Sequence, residues 1–346
     1  MSAVVAIRLR ALGDVTLATA AFKSLARGHA GAPLHVVTES RFAPLLDGLP
    51  WITRVWPVHR TTSSTLATLL ALRRLRPALA VDFFGNTRSA LLARGSGARE
   101  VWGFDVRGRR RFYDRVVPRV SHPGEDHREY AAASLVRLAR AAGGAAIEAR
   151  PRLALTDAAR RAGEQALASA GVTDPSRTVA LVPAGSWATK TWPLSHAAVL
   201  ARRLIATGHA VLGVVGPGEE GVLRRLRELA GGVLALRAPD VGVLAAAIAP
   251  LRALVGTDSG PRHLATAFDV PTFTWFGPAH PEAWTLPDPR HGWWRTSLPC
   301  RACERTVCPH WNCLPGLDPE EAARLVLAHL ERHGRPTADL RAAAGA

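Results

Sequence analysis

Residues Leu251–Phe276, LRALVGTDSGPRHLATAFDVPTFTWF, carry the pattern that decides the fold. An apolar run ends in the small-residue turn 256–260, Pro261 opens a helical pattern, and a second β-like run closes the stretch. Asp258 and Ser259 are candidate caps, and a proline suits the first helical position. We therefore predict strand, turn, helix and strand, with amides at the helix start that favour an anion such as phosphate. The alternative is an ordinary capped helix in an α/β sheet.

The same alternation of strand-like and helix-like runs occurs twice along the chain, over 1–155 and over 156–318. It predicts an α/β fold with two doubly wound, Rossmann-like domains that face each other across a cleft. Ligands of such sheets bind beyond the carboxyl ends of the strands. Within the first domain, the Arg-rich stretch 105–125 is predicted to be irregular. A helix is predicted at 319–333, with the N-terminal domain as its candidate packing partner, and 334–346 is a predicted tail.

The composition points to an anionic partner. The 346-residue chain has a formal net charge of +16, and its only lysines, among 44 lysines and arginines, are Lys23 and Lys190. The charge is spread along the chain and no nucleic-acid-binding motif is present. A membrane surface or an acidic substrate is therefore favoured over nucleic acid. No run is long enough for a transmembrane helix and no signal-peptide pattern is present, which predicts a cytoplasmic location.

Lys190 lies in a turn that suits a diphosphate. The segment Pro183–Pro193, PAGSWATKTWP, follows the first predicted strand of the second domain and precedes a helix start. An ammonium group binds phosphate differently from a guanidinium group, so a lysine kept in an arginine-rich chain is a candidate ligand. Ser186 is the candidate hydroxyl. The chain has no Walker A sequence, and the alternative for this segment is a structural turn with a surface lysine.

The segment Gly216–Gly221, GPGEEG, matches G-x-G-x-x-G between a predicted strand and a predicted helix. Taken alone, the pattern is the fingerprint of a dinucleotide site, so an NAD-dependent enzyme is one alternative function. However, the motif follows the second strand of its domain rather than the first, and two glutamates stand where a pyrophosphate would bind. We predict instead that Glu219 or Glu220 accepts hydrogen bonds from a ribose or a base.

Asp14 stands at the start of the first predicted helix, directly after the first strand. As an N-cap it would only satisfy the amides of the helix. As a carboxylate at the carboxyl edge of the sheet, facing the second domain, it could act as a general base. The residues alone leave both interpretations open.

The four cysteines lie in one short segment with the spacing C-x2-C-x4-C-x4-C. Thiolates at this density in a chain predicted to be cytosolic favour a structural, tetrahedral zinc site over disulfides. Free thiols are the alternative, and His310 is a substitute ligand. The candidate ligands are Cys300, Cys303, Cys308 and Cys313.

In their order and separation, these motifs resemble the ADP-heptose:lipopolysaccharide heptosyltransferases, glycosyltransferase family 9, over nearly the whole chain. The resemblance rests on Ile7–Val15, Val81–Ser89, Pro183–Pro193, and Thr257–His263 followed by Pro271 and Phe276–Pro278. It implies a GT-B fold and the transfer of a heptose from ADP-heptose to the anionic, lipid-linked inner core of lipopolysaccharide, with inversion at the anomeric carbon. It also implies a peripheral location on the inner face of the inner membrane.

The resemblance also assigns roles to the candidate residues. Asp14 becomes the general base that takes the proton of the acceptor hydroxyl, and Lys190 and Ser186 become diphosphate ligands. The other implied donor-binding residues are Glu219, Glu220, Asp258, Ser259, Gly260 and His263, and the implied acceptor-binding residues are Arg10, Gly13 and Arg88.

Elementary chemistry agrees with these roles. An oxocarbenium-like transition state with a departing diphosphate needs positive charge at the leaving group, which Lys190 and the amides after Gly260 can supply. It also needs a base on the opposite face of the sugar, which Asp14 supplies only if the cleft closes. The scheme requires no metal, so the expected cofactors are none for catalysis and zinc for structure. The alternatives are a GT-B enzyme with another nucleotide sugar and the NAD-dependent enzyme.

Overall fold

The computed structural model of the chain describes residues 2–119 and 129–335. The chain divides into two compact units, one spanning 1–156 together with Asp240–Gly242, and the other comprising 157–239 and the chain from Val243 onward. The division falls one residue after the predicted boundary. Each unit contains one six-stranded parallel sheet, which confirms the predicted α/β class with two doubly wound units. From residue 336 onward, the predicted tail lies outside the described residues.

The sheet of the first unit has the strand order β3-β2-β1-β4-β5-β6. Its strands are β1 Val4–Ile7, β2 Leu34–Glu39, β3 Arg54–Val58, β4 Leu79–Asp82, β5 Glu100–Phe104 and β6 Arg115–Val117. Its helices are α1 Leu12–Gly28, α2 Thr62–Leu75, α3 Thr87–Gly95 and α4 Ala131–Ala141. Strand β6 corrects the prediction of an irregular stretch over 105–125, because Val116 and Val117 add a short edge strand to β5.

The sheet of the second unit has the order β12-β11-β10-β7-β8-β9. Its strands are β7 Thr178–Val182, β8 Ala210–Gly213, β9 Val233–Ala235, β10 Ala253–Thr257, β11 Thr272–Phe276 and β12 His291–Arg295. The remaining helices are α5 Asp157–Ser169, α6 Leu194–Ala206, α7 Glu220–Ala230, α8 Val241–Ile248, α9 Gly260–Ala267, α10 Pro281–Trp284 and α11 Pro319–His333. Strand, turn, helix and strand therefore follow one another from β10 to β11 as the opening stretch predicts.

The central strands of both sheets are buried on both faces. Every side chain of β1 and β7 is at most 3% exposed, because helices cover both faces of a parallel sheet. This is why these strands read as continuous apolar runs rather than as alternating ones. Burying each valine, leucine or isoleucine contributes about 1.5–3 kcal/mol.

The C-terminal helix α11 packs within the second unit. Ala322, Val326 and Leu330 belong to the hydrophobic core that β7, β10 and α6 also build. Arg203 of α6 donates from Nε to Glu320 Oε2 at 2.7 Å. The prediction that this helix packs on the N-terminal domain is therefore wrong, because its apolar face completes the core of the unit that precedes it in the chain.

Gly256 allows β10 to approach β7 closely at the point where the functional turn begins. A Cβ atom at this position would lie 2.2 Å from the Val182 carbonyl oxygen, and the residue has a φ of +151°. Only glycine fits both constraints. The close approach brings the turn after β10 next to the turn after β7.

No helix in the described residues combines the length and the apolar character that crossing a bilayer requires.

Candidate active site

The donor-site candidates of the second unit gather beyond the carboxyl ends of β7, β10 and β8, which are neighbouring strands. Strand β7 is paired on one side with β10 and on the other with β8, so the order of the strands reverses there. The crevice at such a reversal is the usual ligand site of an open α/β sheet. The sequence places Lys190, Asp258 and Glu220 in the three turns that meet at this edge.

Asp258 binds two cations at once. Lys190 Nζ lies 2.5 Å from Asp258 Oδ2, and Arg262 Nη1 lies 3.1 Å from Asp258 Oδ1. Arg262 also donates from Nη2 to Thr285 Oγ1 at 2.8 Å. The Asp258 and Arg262 side chains are almost fully buried, whereas that of Lys190 is 13% exposed. Burial opposes ionisation of Asp258, but the Lys190 and Arg262 charges outweigh it and hold the pKa of Asp258 below its ordinary value.

His263 is a neutral histidine beside this cluster. Its side chain is buried, and its ring packs edge-on against Trp284 with the centroids 6.3 Å apart. Burial, followed by the charge of Arg262, lowers the pKa of His263 to about 3. Its Nδ1 makes no hydrogen bond within the part of the chain that the structure describes. A neutral ring nitrogen is thus available beside the cluster.

The start of α9 carries no side-chain cap among the described residues. Ser259 occupies the N-cap position, but its hydroxyl donates to the Thr257 carbonyl oxygen at 3.2 Å instead of accepting from the helix. Asp258 is engaged with its two cations. The prediction that Asp258 and Ser259 cap the helix is therefore wrong, and the amides that begin at Gly260 remain suited to an anion.

Contacts within and around the turn after β7 fix the position of Lys190. Residues Ala188–Lys190 form a single 3-10 turn, and Thr189 donates from Oγ1 to the Arg305 carbonyl oxygen at 2.7 Å. Gly185 lets the chain fold back, because a Cβ there would lie 2.8 Å from Lys190 Cβ. The Lys190 ammonium also lies 4.4 Å from the centroid of the Trp187 ring. Ser186, in contrast, is exposed on the rim of the turn.

A cavity of about 750 Å³ lies beyond β8 and β9 in the same unit. Glu220 lines it and accepts from the Gly218 amide at 3.1 Å, and this bond together with that from its own amide lowers the pKa of Glu220. Glu219 does not line it and accepts from the Gly216 amide at 2.7 Å. Because the two carboxylates occupy amides that a pyrophosphate would need, the GPGEEG loop is unsuited to a dinucleotide. The cavity has a basic side formed by Arg224, Arg227 and Arg237.

Asp14 lies in the first turn of α1, at the carboxyl edge of the first sheet. Helix α1 begins at Leu12, so Asp14 is not the N-cap that the sequence offered as one interpretation. Arg8 Nη2 lies 2.7 Å from Asp14 Oδ1, and the Ala11 amide donates to Asp14 Oδ2 at 3.2 Å. The Arg8 side chain is buried, whereas that of Asp14 is 32% exposed. One face of an oriented carboxylate is thus open to a ligand.

Of the three predicted acceptor-binding residues, Arg10 and Gly13 lie in the chain segment next to Asp14, whereas Arg88 lies near the start of α3. Gly13 is buried in the first turn of α1, and the Arg10 guanidinium lies 5.8 Å from the centroid of the Phe84 ring. Arg88, near the start of α3, donates to Thr65 Oγ1 at 3.0 Å and to the His59 carbonyl oxygen.

A family model described as glycosyltransferase family 9 (heptosyltransferase) matches residues 69–313, more than two thirds of the chain. The chain belongs to glycosyltransferase family 9. Lipopolysaccharide heptosyltransferase 1 of Pseudomonas aeruginosa is 28% identical to it over 330 residues, which cover 89% of this chain and 87% of that protein. The chain is therefore a glycosyltransferase of the heptosyltransferase family.

Two solved enzymes of E. coli share the fold of this family 9 chain. ADP-heptose lps heptosyltransferase II superposes with a TM-score of 0.77 at 18% identity, over 95% of this chain and 99% of that one. Heptosyltransferase WaaC, solved with ADP, superposes with a TM-score of 0.71 at 21% identity, over 95% and 98%. The match confirms the predicted GT-B fold.

Three residues of this family 9 chain escaped the sequence analysis as part of the site. Arg262 stands four positions after Asp258, a spacing that places both on one face of a helical turn and could have been noticed. Arg8 joins Asp14 to β4, because its Nη1 also donates to the Phe83 carbonyl oxygen at 2.6 Å. Asp82, fully buried, lies at the end of an apolar run and within the Val81–Ser89 stretch that carries the family resemblance, but the sequence assigned it no role.

The structure does not group the four cysteines as a zinc site would require, and the structural zinc stays a prediction. Among the described residues, no three histidine, cysteine, aspartate or glutamate side chains are grouped so that they could hold a metal ion. Cys300 and Cys303 are exposed, while Cys313 packs inward and its Sγ would lie 3.0 Å from a Cβ on Gly277. Burial raises the pKa of the Cys313 thiol in the metal-free chain.

The buried, neutral state of His263 predicts a pH dependence of stability. Between pH 7 and pH 5 the unfolded residue, with its ordinary pKa of 6.5, takes up a proton, whereas the folded residue stays neutral. The wild type should therefore lose about 2 kcal/mol more free energy of unfolding over this interval than His263→Gln. Urea unfolding at both pH values measures the difference.

The exposed His59 is the matched control, and His59→Gln should lose as much stability on acidification as the wild type does. Equal losses for His263→Gln and the wild type would contradict a neutral, buried His263.

Proposed function

We propose that this chain transfers a heptose from ADP-heptose to an anionic, lipid-linked sugar of the lipopolysaccharide inner core, with inversion at the anomeric carbon. The observation that carries the proposal is the Lys190–Asp258–Arg262 cluster beside the uncapped start of α9 in a chain of family 9. The names of the E. coli relatives, which include ADP and ADP-heptose, support the choice of donor.

Lys190 neutralises the diphosphate as it leaves. Its ammonium has three N–H donors, of which one is directed at Asp258, so the others can bind phosphate oxygens. The amides at Gly260 add donors from the α9 start. Ser186, on the rim of the same turn, can add a hydroxyl donor once the diphosphate is bound. These groups are positioned before the reaction begins, so they stabilise the charge that develops without reorganising.

Glu220 recognises the nucleoside. Its carboxylate lines the cavity of about 750 Å³ and can accept hydrogen bonds from ribose hydroxyls. A cavity of this size suits a nucleoside. Glu219 supports it by holding the Gly216 amide. His263 lies beside the Asp258 cluster and offers a neutral nitrogen to the bound donor.

Asp14 is the general base. Arg8 and the Ala11 amide orient its carboxylate, and the open face accepts the proton of the acceptor hydroxyl. The hydroxyl oxygen then bonds to the anomeric carbon while the bond from that carbon to the diphosphate oxygen breaks, and ADP leaves. Attack opposite to the leaving group inverts the anomeric configuration.

Arg10, Gly13 and Arg88 are the proposed acceptor side of this reaction. Arginine binds carboxylate and phosphate groups in two-point geometry, which fits an acidic inner-core sugar. Gly13 gives the acceptor close access to the start of α1. A lipid-linked acceptor places the enzyme in the cytoplasm, peripherally on the inner face of the inner membrane. The partners of this scheme are the donor, the acceptor and that membrane surface.

Asp14→Asn should lower kcat about 10²- to 10⁴-fold, because the amide cannot take the proton. The KM for ADP-heptose should change little, since Asp14 belongs to the other unit from the donor-site residues. Acceptor-dependent release of ADP measures both constants. Asp105→Asn, an exposed aspartate of the same unit, is the control and should keep wild-type kcat. An Asp14→Asn enzyme with a kcat near that of wild type would refute the role of base.

Lys190→Met should weaken ADP binding about 10- to 100-fold, because a charge-assisted hydrogen bond is lost. Lys190→Arg should also bind ADP less tightly, since the planar guanidinium does not reproduce the ammonium. Thermal stabilisation by ADP, UDP, GDP and NAD measures the binding. Lys23→Met, which changes the chain's other lysine, is the matched control and should bind ADP like the wild type. Equal stabilisation by UDP or GDP would contradict an adenine nucleotide donor, and NAD binding that survives Lys190→Met would contradict the site.

We propose that the transfer needs no metal ion, because Lys190 and the α9 amides supply the positive charge at the leaving group. The enzyme should keep its activity after treatment with EDTA. Loss of activity that Mg²⁺ or Zn²⁺ restores would contradict this point.

A further inference from the structure

Helices α2 and α3 expose large apolar side chains to solvent. Leu66 is 55% exposed, Leu70 48% and Leu91 49%. They are three of the five exposed large hydrophobic residues in the described chain, and the other two lie in the second unit. Single exposed leucines are ordinary, but several on adjacent helices mark an interaction surface.

The three leucines lie on one surface. Helices α2 and α3 pack side by side, since Arg88 donates to Thr65 Oγ1 and a Cβ on Gly95 would lie 2.4 Å from Leu69 Cδ1. The α2 residues in these two contacts are Thr65 and Leu69, and Leu66 and Leu70 directly follow them in the chain. Leu91 lies between Arg88 and Gly95 on α3. Helical spacing therefore places the leucines along the solvent side of the line where the two helices meet.

This surface is basic. Residues 48–99 contain eight arginines and a single acidic residue, Asp82, which is fully buried. Three of these arginines are paired with carboxylates from outside this range, Arg60 and Arg88 with Glu39 and Arg94 with Asp114. Arg73 and Arg74 are exposed at the last turn of α2, and they form no ion pair with any residue that the structure describes. Arg73 follows Leu66 and Leu70 on the same side of the helix. An apolar strip with a cationic border is thus open to solvent.

We propose that the leucine–arginine face, formed by Leu66, Leu70, Arg73, Arg74 and Leu91, docks the enzyme on an anionic lipid bilayer. The leucines enter the boundary between headgroups and acyl chains, and the arginines bind headgroup phosphates. A second copy of the chain fits less well, because a symmetric contact would oppose arginines to arginines. The choice of a lipid partner rests on the proposed lipid-linked acceptor.

Vesicle flotation tests the proposal. The wild type should float with vesicles of phosphatidylethanolamine containing about one quarter phosphatidylglycerol and not with phosphatidylcholine vesicles, and high salt should release it. Arg73→Gln with Arg74→Gln should weaken binding about 25-fold, or about fivefold per arginine. Leu66→Gln with Leu70→Gln should weaken it about tenfold.

Matched changes elsewhere are the controls. Arg160→Gln with Arg161→Gln on the exposed side of α5 should bind vesicles like the wild type. So should Val307→Gln, which changes the most exposed large apolar side chain among the described residues. Circular dichroism and melting check that each variant is folded. The arginine pair keeps the proposal testable if the leucine pair does not fold.

Three results would overturn the proposal. The first is a wild type that does not float, and the second is flotation that neither pair of changes weakens. The third is a wild type that forms a dimer, together with leucine variants that are monomeric but float like the wild type. Transfer to a water-soluble, delipidated acceptor should be the same for the leucine variant and the wild type. A wild type that floats as predicted but transfers no heptose to this acceptor would support docking and refute the proposed function, so the two failures are distinguishable.

Discussion

The donor half of the enzyme depends on one buried carboxylate that holds two cations. Asp258 binds Lys190 and Arg262, and removing the carboxylate would leave two cations without a counter-charge in a site that water hardly reaches. Replacing such a buried ion pair by apolar side chains is often neutral or stabilising, so stability alone does not explain it. Its effect is to hold the Lys190 ammonium in one place, at the exposed limit of the cluster, where it would meet the leaving diphosphate of the proposed reaction.

The first unit uses the same arrangement on the same topology. Both sheets have the doubly wound order, and each functional turn follows a strand at the reversal of that order. Behind Asp14, Arg8 ties the end of β1 to the end of β4. Asp82, at the end of β4, accepts hydrogen bonds from the Tyr113 hydroxyl at 2.7 Å and the Ser89 hydroxyl at 2.8 Å, and burial raises its pKa. In each unit, a buried charged side chain thus orients a partly exposed one: Asp258 orients Lys190, and Arg8 orients Asp14.

What could be predicted from the sequence depended on local signals. The two sheets were predictable because parallel strands are continuous apolar runs and the turns after them contain small residues. The site turns were predictable for the same reason, and so was Lys190, as one of two lysines in the chain. Which of Glu219 and Glu220 lines the cavity was not predictable, because it depends on which amide of the loop each carboxylate reaches.

The errors came from contacts between residues far apart in the chain. Asp258 looked like a helix cap because its nearest amides belong to α9, yet Lys190, 68 positions earlier, binds it. The N-terminal domain was the candidate partner of helix α11, because the apolar face of the helix does not itself identify the core that it completes. The cysteine spacing looked like a metal site, but among the described residues no three candidate ligands are grouped so that they could hold a metal ion. Contacts between residues far apart in the chain leave no local pattern in the sequence from which they could be predicted.

The most direct test of the proposed heptose transfer is to identify the product of the reaction. The enzyme would be incubated with ADP-heptose and an acidic inner-core acceptor, and NMR would determine the anomeric configuration of the transferred heptose while ADP release is followed. We expect one ADP released per heptose transferred and an anomeric configuration opposite to that of the donor. Retention of configuration, or release of ADP without any heptosylated product, would contradict it.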